Sequence, residues 1–434
     1  MKMKLAEIAK AINAQNDIEQ WKDVEVTSVS FDSRHLDQGS LFVPLQGAQD
    51  GHQYVPSAFT NGAVASLWAS DHEITDQTHP LLVVNDPLAA LQQLGKYYLH
   101  KINPIVVAVT GSNGKTTTKD MIASILSTQF NVTKTYANFN NEIGVPVTLL
   151  NMESNTEAVV VEMGMDRFDQ LDFLSKLVNP DIAVITMIGE AHIEFFGTRD
   201  KIADAKMEIT HGLKEDGMLV FNGDEPLLEE RVKDLTQRQM RFGRQLSNNL
   251  YATSVHDEPR QLSFTVNEWP DEEFTIPMVG EYNINNALAA MEVGKILHIT
   301  PAHMKQALAN VELTENRAEW VKGKNGEQIL SDVYNSNPTA AKEVLKTIAE
   351  TPVDGRRIAV LGDMLELGDA APKLHASLAE EIDHQKIASV YLVGEQMKNL
   401  KDKLIQEGYP AEDIHHYAAC DLQQLIADLT ATLT

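Results

Sequence analysis

The sequence predicts an α/β protein of three domains, and three observations carry that prediction. The apolar run Val106-Val107-Ala108-Val109 leads into Thr110-Gly111-Ser112-Asn113-Gly114-Lys115-Thr116-Thr117, and a helical pattern (Met121, Ile122, Ile125, Leu126) follows. Beyond it, apolar runs keep alternating with helical patterns, the order that builds a parallel sheet with helices on both faces. At 434 residues the chain exceeds what one hydrophobic core serves.

Taken in order, Leu5, Ile8, Ala9 and Ile12 share one face of a short helix, and the charges around them exclude a signal-peptide core. Residues 24–31, 40–45 and 81–85 read as strands. Asp86-Pro87, a cap followed by proline at the first helical position, opens the helix that closes the first block. After the break Ile102-Asn103-Pro104, residues 158–161, 181–187 and 218–221 read as buried parallel strands. Short β runs between about 250 and 280 predict a side sheet, and Thr300-Pro301 starts a helix. Leu313-Thr314-Glu315-Asn316 reads as a linker, Lys324-Asn325-Gly326 as a hairpin turn, and 357–361, 390–393 and 414–417 as strands of a second α/β unit. The domain boundaries are therefore placed at 1–102, 103–313 and 314–434.

The hydrophobic content of 43% is ordinary for a globular protein, and the net charge of −26 disfavours nucleic acid and anionic membrane as partners. No apolar run approaches membrane-spanning length. The single cysteine, Cys420, excludes an internal disulfide and suits a cytoplasmic location; it reads as a packed thiol. No long exposed heptad pattern is present, and a monomer is expected.

The chemistry centres on residues 110–117. Gly111 and Gly114 let the backbone N–H groups around Ser112 and Asn113 turn toward an anion, and the helix N-terminus at Lys115-Thr116-Thr117 adds partial positive charge. Lys115 reaches terminal phosphates and the Thr116 hydroxyl reaches Mg2+. The loop is shorter than G-x-x-x-x-G-K-[ST], because Val109 stands five before Gly114. Glu162 ends its strand ahead of Gly164, where a carboxylate holds Mg2+ or is an ordinary strand end. His192 and Lys206, each taken alone, read as a structural histidine and a solvated lysine. Asn138, Asn140 and Asn141 either orient a peptide or sugar or make a turn, and Asn283 and Asn286 read as helix caps. In the third block, Arg317 suits phosphoryl charge and Asp332 ribose hydroxyls. They stand beside Tyr334-Asn335-Ser336-Asn337-Pro338 and Leu361-Gly362-Asp363-Met364-Leu365-Glu366-Leu367-Gly368.

As a set these motifs resemble the ATP-dependent Mur ligases of bacterial cell-wall synthesis. Asp32-Ser33-Arg34, Gly39-Ser40-Leu41-Phe42-Val43 and Asp50-Gly51-His52 extend the resemblance through the first block. It implies a small α/β UDP-sugar domain, a central parallel-sheet phosphate-loop ATPase domain, and a Rossmann-like domain that closes on ATP and binds a dipeptide. The third-block signatures resemble those of the member that adds D-Ala-D-Ala to UDP-MurNAc-tripeptide. The Asp-Asn-Pro-Arg motif of the diamino-acid-adding member is absent. Ser336 stands where alanine is common, and Tyr282 where the family often has histidine. By the resemblance, Thr116 and Glu162 hold one Mg2+, and His192 with a carbamylated Lys206 a second. Asn286, Arg317 and Asp332 surround ATP, Asn335 and Asn337 lie toward the dipeptide, and Ser33 and Arg34 lie toward the UDP-sugar, with Asn140 and Asn141 on the substrate side. The competing expectations are another Mur-type or folylpolyglutamate synthetase-like ligase, and a phosphate-loop NTPase without ligase activity.

Overall fold

The computed structural model describes residues 1–74, 78–258, 260–314, 319–324 and 326–433. Arg317 and the Asn325 turn position lie outside the described residues. The strands are β1 (Met3–Lys4), β2 (Glu25–Val26), β3 (Ser28–Ser30), β4 (Ser40–Phe42), β5 (Ala63–Ala69), β6 (Leu81–Val84), β7 (Ile105–Thr110), β8 (Val132–Lys134), β9 (Ala158–Glu162) and β10 (Ile182–Ile185). They continue as β11 (Met218–Asn222), β12 (Arg238–Gly243), β13 (Leu250–Glu258), β14 (Gln261–Val266), β15 (Trp269–Ile276), β16 (Glu319–Lys322), β17 (Gln328–Ser331), β18 (Ile358–Gly362), β19 (Ser389–Val393) and β20 (Ile414–Tyr417). The largest sheet has the order β15-β14-β13-β12-β11-β10-β7-β9-β8. Among the described residues, no helix is long and apolar enough to cross a membrane.

The chain falls into two compact units. The first holds residues 1–109, 126–183 and 208–218. Its parallel sheet β3-β4-β5-β6 buries Leu41, Phe42, Leu67 and Leu82, and the helix Pro87–Ile102 follows, capped by Asp86, which accepts from the N–H of Leu88 at 2.8 Å. The expected strand at 24–31 is broken into β2 and β3, which belong to different sheets. The expected strand at 40–45 stops at Phe42, and β5 was not anticipated. In the same unit β7 and β8 both pair in parallel with β9, the register setting Val109 opposite Glu162. Val107, Ala108, Val109, Val159, Val160 and Val161 are fully buried, so both faces of these strands are covered.

The second unit holds residues 110–125, 184–207 and 219–434. Met121, Ile122 and Ile125 on the helix Lys115–Leu126 are fully buried, as their spacing predicts. The expected side sheet is not separate: β13 pairs in parallel with β12 and then antiparallel with β14, so these strands extend the large sheet. The hairpin β16–β17 is antiparallel, and β18-β19-β20 form a small parallel sheet over a core that includes Leu345, Leu378, Val390 and Leu400. Cys420 is exposed, not packed; it follows β20 at the start of the last helix.

One buried charge in this unit has a measurable cost. Glu292, on the helix Tyr282–Ile296, is fully buried with neither carboxylate oxygen hydrogen-bonded among the described residues; the Lys295 ammonium stands 3.5 Å away. Burial pushes its pKa up to about 6 from 4.5. The folded state thus holds this proton more tightly than the unfolded chain, so stability falls as pH rises through that window and stays lower above it. Glu292→Gln is expected to raise stability by about 2 kcal/mol at pH 8 and to be near neutral at pH 4, read from urea unfolding at both pH values.

Candidate active site

The phosphate loop is braced from both sides within the second unit. Thr186, just after β10, donates to the Asn113 carbonyl at 2.5 Å, and its own N–H donates to the Thr110 carbonyl at 3.0 Å. The Ser112 N–H donates to the Met187 carbonyl at 2.9 Å. Lys115 Nζ folds back over its own loop, donating to the carbonyls of Gly111 at 2.7 Å and Ser112 at 3.3 Å. Those two contacts are what an incoming triphosphate would exchange for its own oxygens. Thr116 and Thr117 are buried at the helix N-terminus.

Asn283 and Asn286 are not caps. The helix starts after Glu281 without a side-chain cap, and both asparagines are buried. Asn286 accepts from Thr118 Oγ1 at 3.2 Å and donates to Asn283 Oδ1 at 2.9 Å, and Asn283 donates to the Val279 carbonyl at 2.8 Å. This relay stands directly behind Gly114, where an added Cβ would lie 3.1 Å from Asn286 Cγ.

Lys206, in the last turn of the helix Arg199–Met207, is almost entirely buried. Its pKa is pushed far down, first by burial and then by the charge of Lys115. A lone helix lysine would be solvated; this one is an interior amine beside a cation. His192 sits on a turn with left-handed backbone (φ 64°) and bonds through Nδ1 to Glu366 Oε2. Burial pushes its imidazole below the ordinary value, the Glu366 carboxylate opposes that, and Lys115 and Lys206 add to it.

Residues of the third block reach this same unit. Asn337 and Asn113 exchange a pair of amide hydrogen bonds, at 2.5 and 3.1 Å, and Asn337 Oδ1 also caps the helix Pro338–Glu350 through the Ala340 N–H at 3.1 Å. Thr339 Oγ1 donates to Glu190. Asn335 is exposed, and Asp332 lies near enough to Tyr282 to help burial raise the phenol pKa. Sequence reasoning did not single out Asn113–Asn337 as a pair, nor Glu190, Thr339 and Glu366 as site residues.

In the first unit, Glu162 is buried and accepts from Asn140 Nδ2 at 2.8 Å through one oxygen; the other, Oε2, has no hydrogen-bond partner among the described residues. A buried carboxylate oxygen left without a donor is costly unless a cation or proton meets it. Asn141 is exposed, and its side-chain oxygen accepts from the Gly144 N–H at 2.9 Å in the turn before the helix Gly144–Leu150. Ser33 is buried, its carbonyl accepting from Asn61 at 2.7 Å. Arg34 is exposed and forks onto Asp32 at 2.8 and 2.9 Å, holding that carboxyl well below the usual range.

Profiles of the Mur ligase family match three stretches: the catalytic domain at residues 25–99, the middle domain at 109–294, and the glutamate ligase domain at 316–433. The UDP-N-acetylmuramoyl-tripeptide–D-alanyl-D-alanine ligase of Bacillus subtilis (strain 168) is 40% identical over 395 residues, covering 91% of this chain and 86% of its own. The chain belongs to the Mur ligase family. The Escherichia coli (strain K12) ligase of that same name is 32% identical over 381 residues, covering 87% of this chain and 83% of its own. Among solved Mur ligases, MurF from Acinetobacter baumannii superposes with a TM-score of 0.88 at 27% identity, covering all of this chain and 93% of its own. MurF from Thermotoga maritima, solved with ADP, superposes at 0.79 and 27% identity, over 94% of this chain and 91% of its own. A Mycobacterium tuberculosis folylpolyglutamate synthase shares the fold at 0.60 and 15% identity, with 79% of this chain and 88% of its own aligned.

Proposed function

We propose that this Mur ligase joins D-Ala-D-Ala to UDP-MurNAc-tripeptide at the expense of ATP, as the names of its relatives describe. The observation that carries the reading beyond nucleotide binding is the seating of Asn337, Thr339 and Glu366 on the phosphate loop and the turns beside it. An NTPase that turns over water has no use for a third-block segment there.

The chemistry is that of a three-substrate ligase. A tripeptide carboxylate oxygen bonds to the γ-phosphorus and ADP leaves. The dipeptide amine then attacks the acyl carbon, giving up a proton, and inorganic phosphate departs. Every reacting group before the amine is anionic, so the residues must assemble positive charge in advance. Lys115 exchanges its loop carbonyls for phosphate oxygens. Arg317, by the resemblance, supplies further charge, and Asp332 and Asn286 orient the nucleotide. Mg2+ suits each set of donors taken by itself: the orphaned Glu162 oxygen in the first unit, the Thr116 hydroxyl in the second, and, also in the second, His192 with a carbamylated Lys206. When bound, such ions neutralise the triphosphate and polarise the transferring phosphoryl group.

In this reading residues 1–102 take the UDP-sugar, 103–313 the ATP, and 314–434 the dipeptide. Ser33, Arg34, Asn140 and Asn141 serve the UDP-peptide side, and Asn335 and Asn337 the dipeptide side. The enzyme acts as a monomer in the cytoplasm, where its soluble precursors are made. Phosphate release in the presence of ATP, UDP-MurNAc-tripeptide and D-Ala-D-Ala tests it. Release is expected to need all three substrates, and release that continues at full rate without the dipeptide would sink the ligase reading.

A further inference from the structure

His192 and Glu366 face each other on two turns that each hold a non-glycine residue in left-handed backbone, at φ 64° and 60°. Such conformations are strained for residues with a Cβ and persist where the surroundings over-determine them. Here they are over-determined. Glu366 Oε2 bonds to His192 Nδ1, and the Glu366 carbonyl accepts from the Glu194 N–H at 3.0 Å. Gly368, two residues on, lies so close to the short helix Ile193–Phe196, which follows His192, that an added Cβ would be 3.2 Å from Glu194 Cγ. The third-block turn is thus clamped onto the His192 turn by side chain, main chain and close approach together.

A carboxylate only accepts, so this bond puts the imidazole proton on Nδ1 and leaves the lone pair on Nε2. That is the arrangement by which a carboxylate orients a metal-ligating histidine: the ring plane is fixed, the tautomer is chosen, and the free nitrogen becomes a better donor. We propose that Glu366 is a positioning residue for the cation site, presenting His192 Nε2 to Mg2+, so that the ligand set is complete only while the third block is docked. The proposal rests on the assignment of His192 as a cation ligand made above, and it adds the group that makes the ligand competent. It also gives docking a chemical consequence, because Glu366 belongs to the part of the chain assigned to the dipeptide.

The test is Mn2+ binding followed by electron paramagnetic resonance on the full chain saturated with ADP, which needs no turnover. Glu366→Ala is expected to weaken Mn2+ about 10- to 100-fold, the range seen for outer partners of metal-bound histidines. His192→Ala should weaken it at least as much, and the double variant should lose nothing further, because both changes remove one unit. Glu366→Gln, whose amide oxygen accepts the same N–H, should bind within about threefold of the parent. Mn2+ affinity unchanged in Glu366→Ala, a loss that adds to that of His192→Ala, or an equal loss in the Gln and Ala variants would overturn the proposal. Undiminished binding in His192→Ala would instead remove the ligand assignment beneath it, and absent ligase turnover in the parent would remove the function while leaving the Mn2+ result standing.

Discussion

Lys206→Ala is expected to slow phosphate release by about 10²–10³-fold, with no recovery on adding bicarbonate. The reason is the environment of the amine. Lys206 is buried, and burial and the Lys115 charge both work against its ammonium form. A neutral interior amine adds CO2: the nitrogen lone pair bonds to carbon, and the amine's proton leaves to solvent. The proposed carbamate would be an anionic oxygen donor, attracted to Lys115 where an ammonium is repelled, and would offer Mg2+ a hard ligand. Lys206→Arg should be as impaired as the alanine variant, because a guanidinium stays charged and forms no such adduct. Label from 13C-bicarbonate should appear on the parent and not on either variant. Full activity in Lys206→Ala would remove the role assigned to this residue.

The same residue marks the boundary of what the chain reveals before it is folded. Residues 110–117 were legible because strand, loop and helix start are consecutive, and each demands its own residue types. Lys206 and His192 were not, taken singly, because what makes them unusual is brought in from elsewhere: Glu366 is 174 positions from His192, and Asn337 is 224 from Asn113. The family resemblance assigned roles to the first two, and carried Glu366 only as one position of its Leu361–Gly368 signature, with no role attached. The fold shows the same division. The valine-rich strands around Val107 and Val160 were read correctly from composition, and both are fully buried. The strand Ala63–Ala69 was missed because alanine and serine dilute its β signal, although six of its seven residues are buried. Asn283 and Asn286 failed as caps because Gly280, with φ 86°, turns the chain into the helix and leaves both amides facing inward.

Gly114→Ala carries the second large effect, an expected loss of about 100-fold in ADP affinity with the fold retained. Two costs combine. Gly114 has φ 79°, where a Cβ costs roughly 1–2 kcal/mol. The new methyl would also stand 3.1 Å from Asn286 Cγ, and nearer still to its Oδ1, so the side chain must move. Asn286 is held by Thr118 at 3.2 Å and Asn283 at 2.9 Å, and each bond lost costs about 1 kcal/mol. The total of about 3 kcal/mol corresponds to roughly two decades of affinity where the undistorted loop is the form that binds. The alternative is that the loop yields and Asn286 holds, which would move the Gly114 N–H away from the phosphates and reach the same result by another route. Calorimetric titration with ADP separates these effects from general damage when paired with Gly355→Ala, at a glycine with open space around its Cβ position. That control should bind ADP as the parent does. ADP affinity preserved in Gly114→Ala would mean that the phosphate loop is plastic and that the asparagine relay behind it has no part in nucleotide binding.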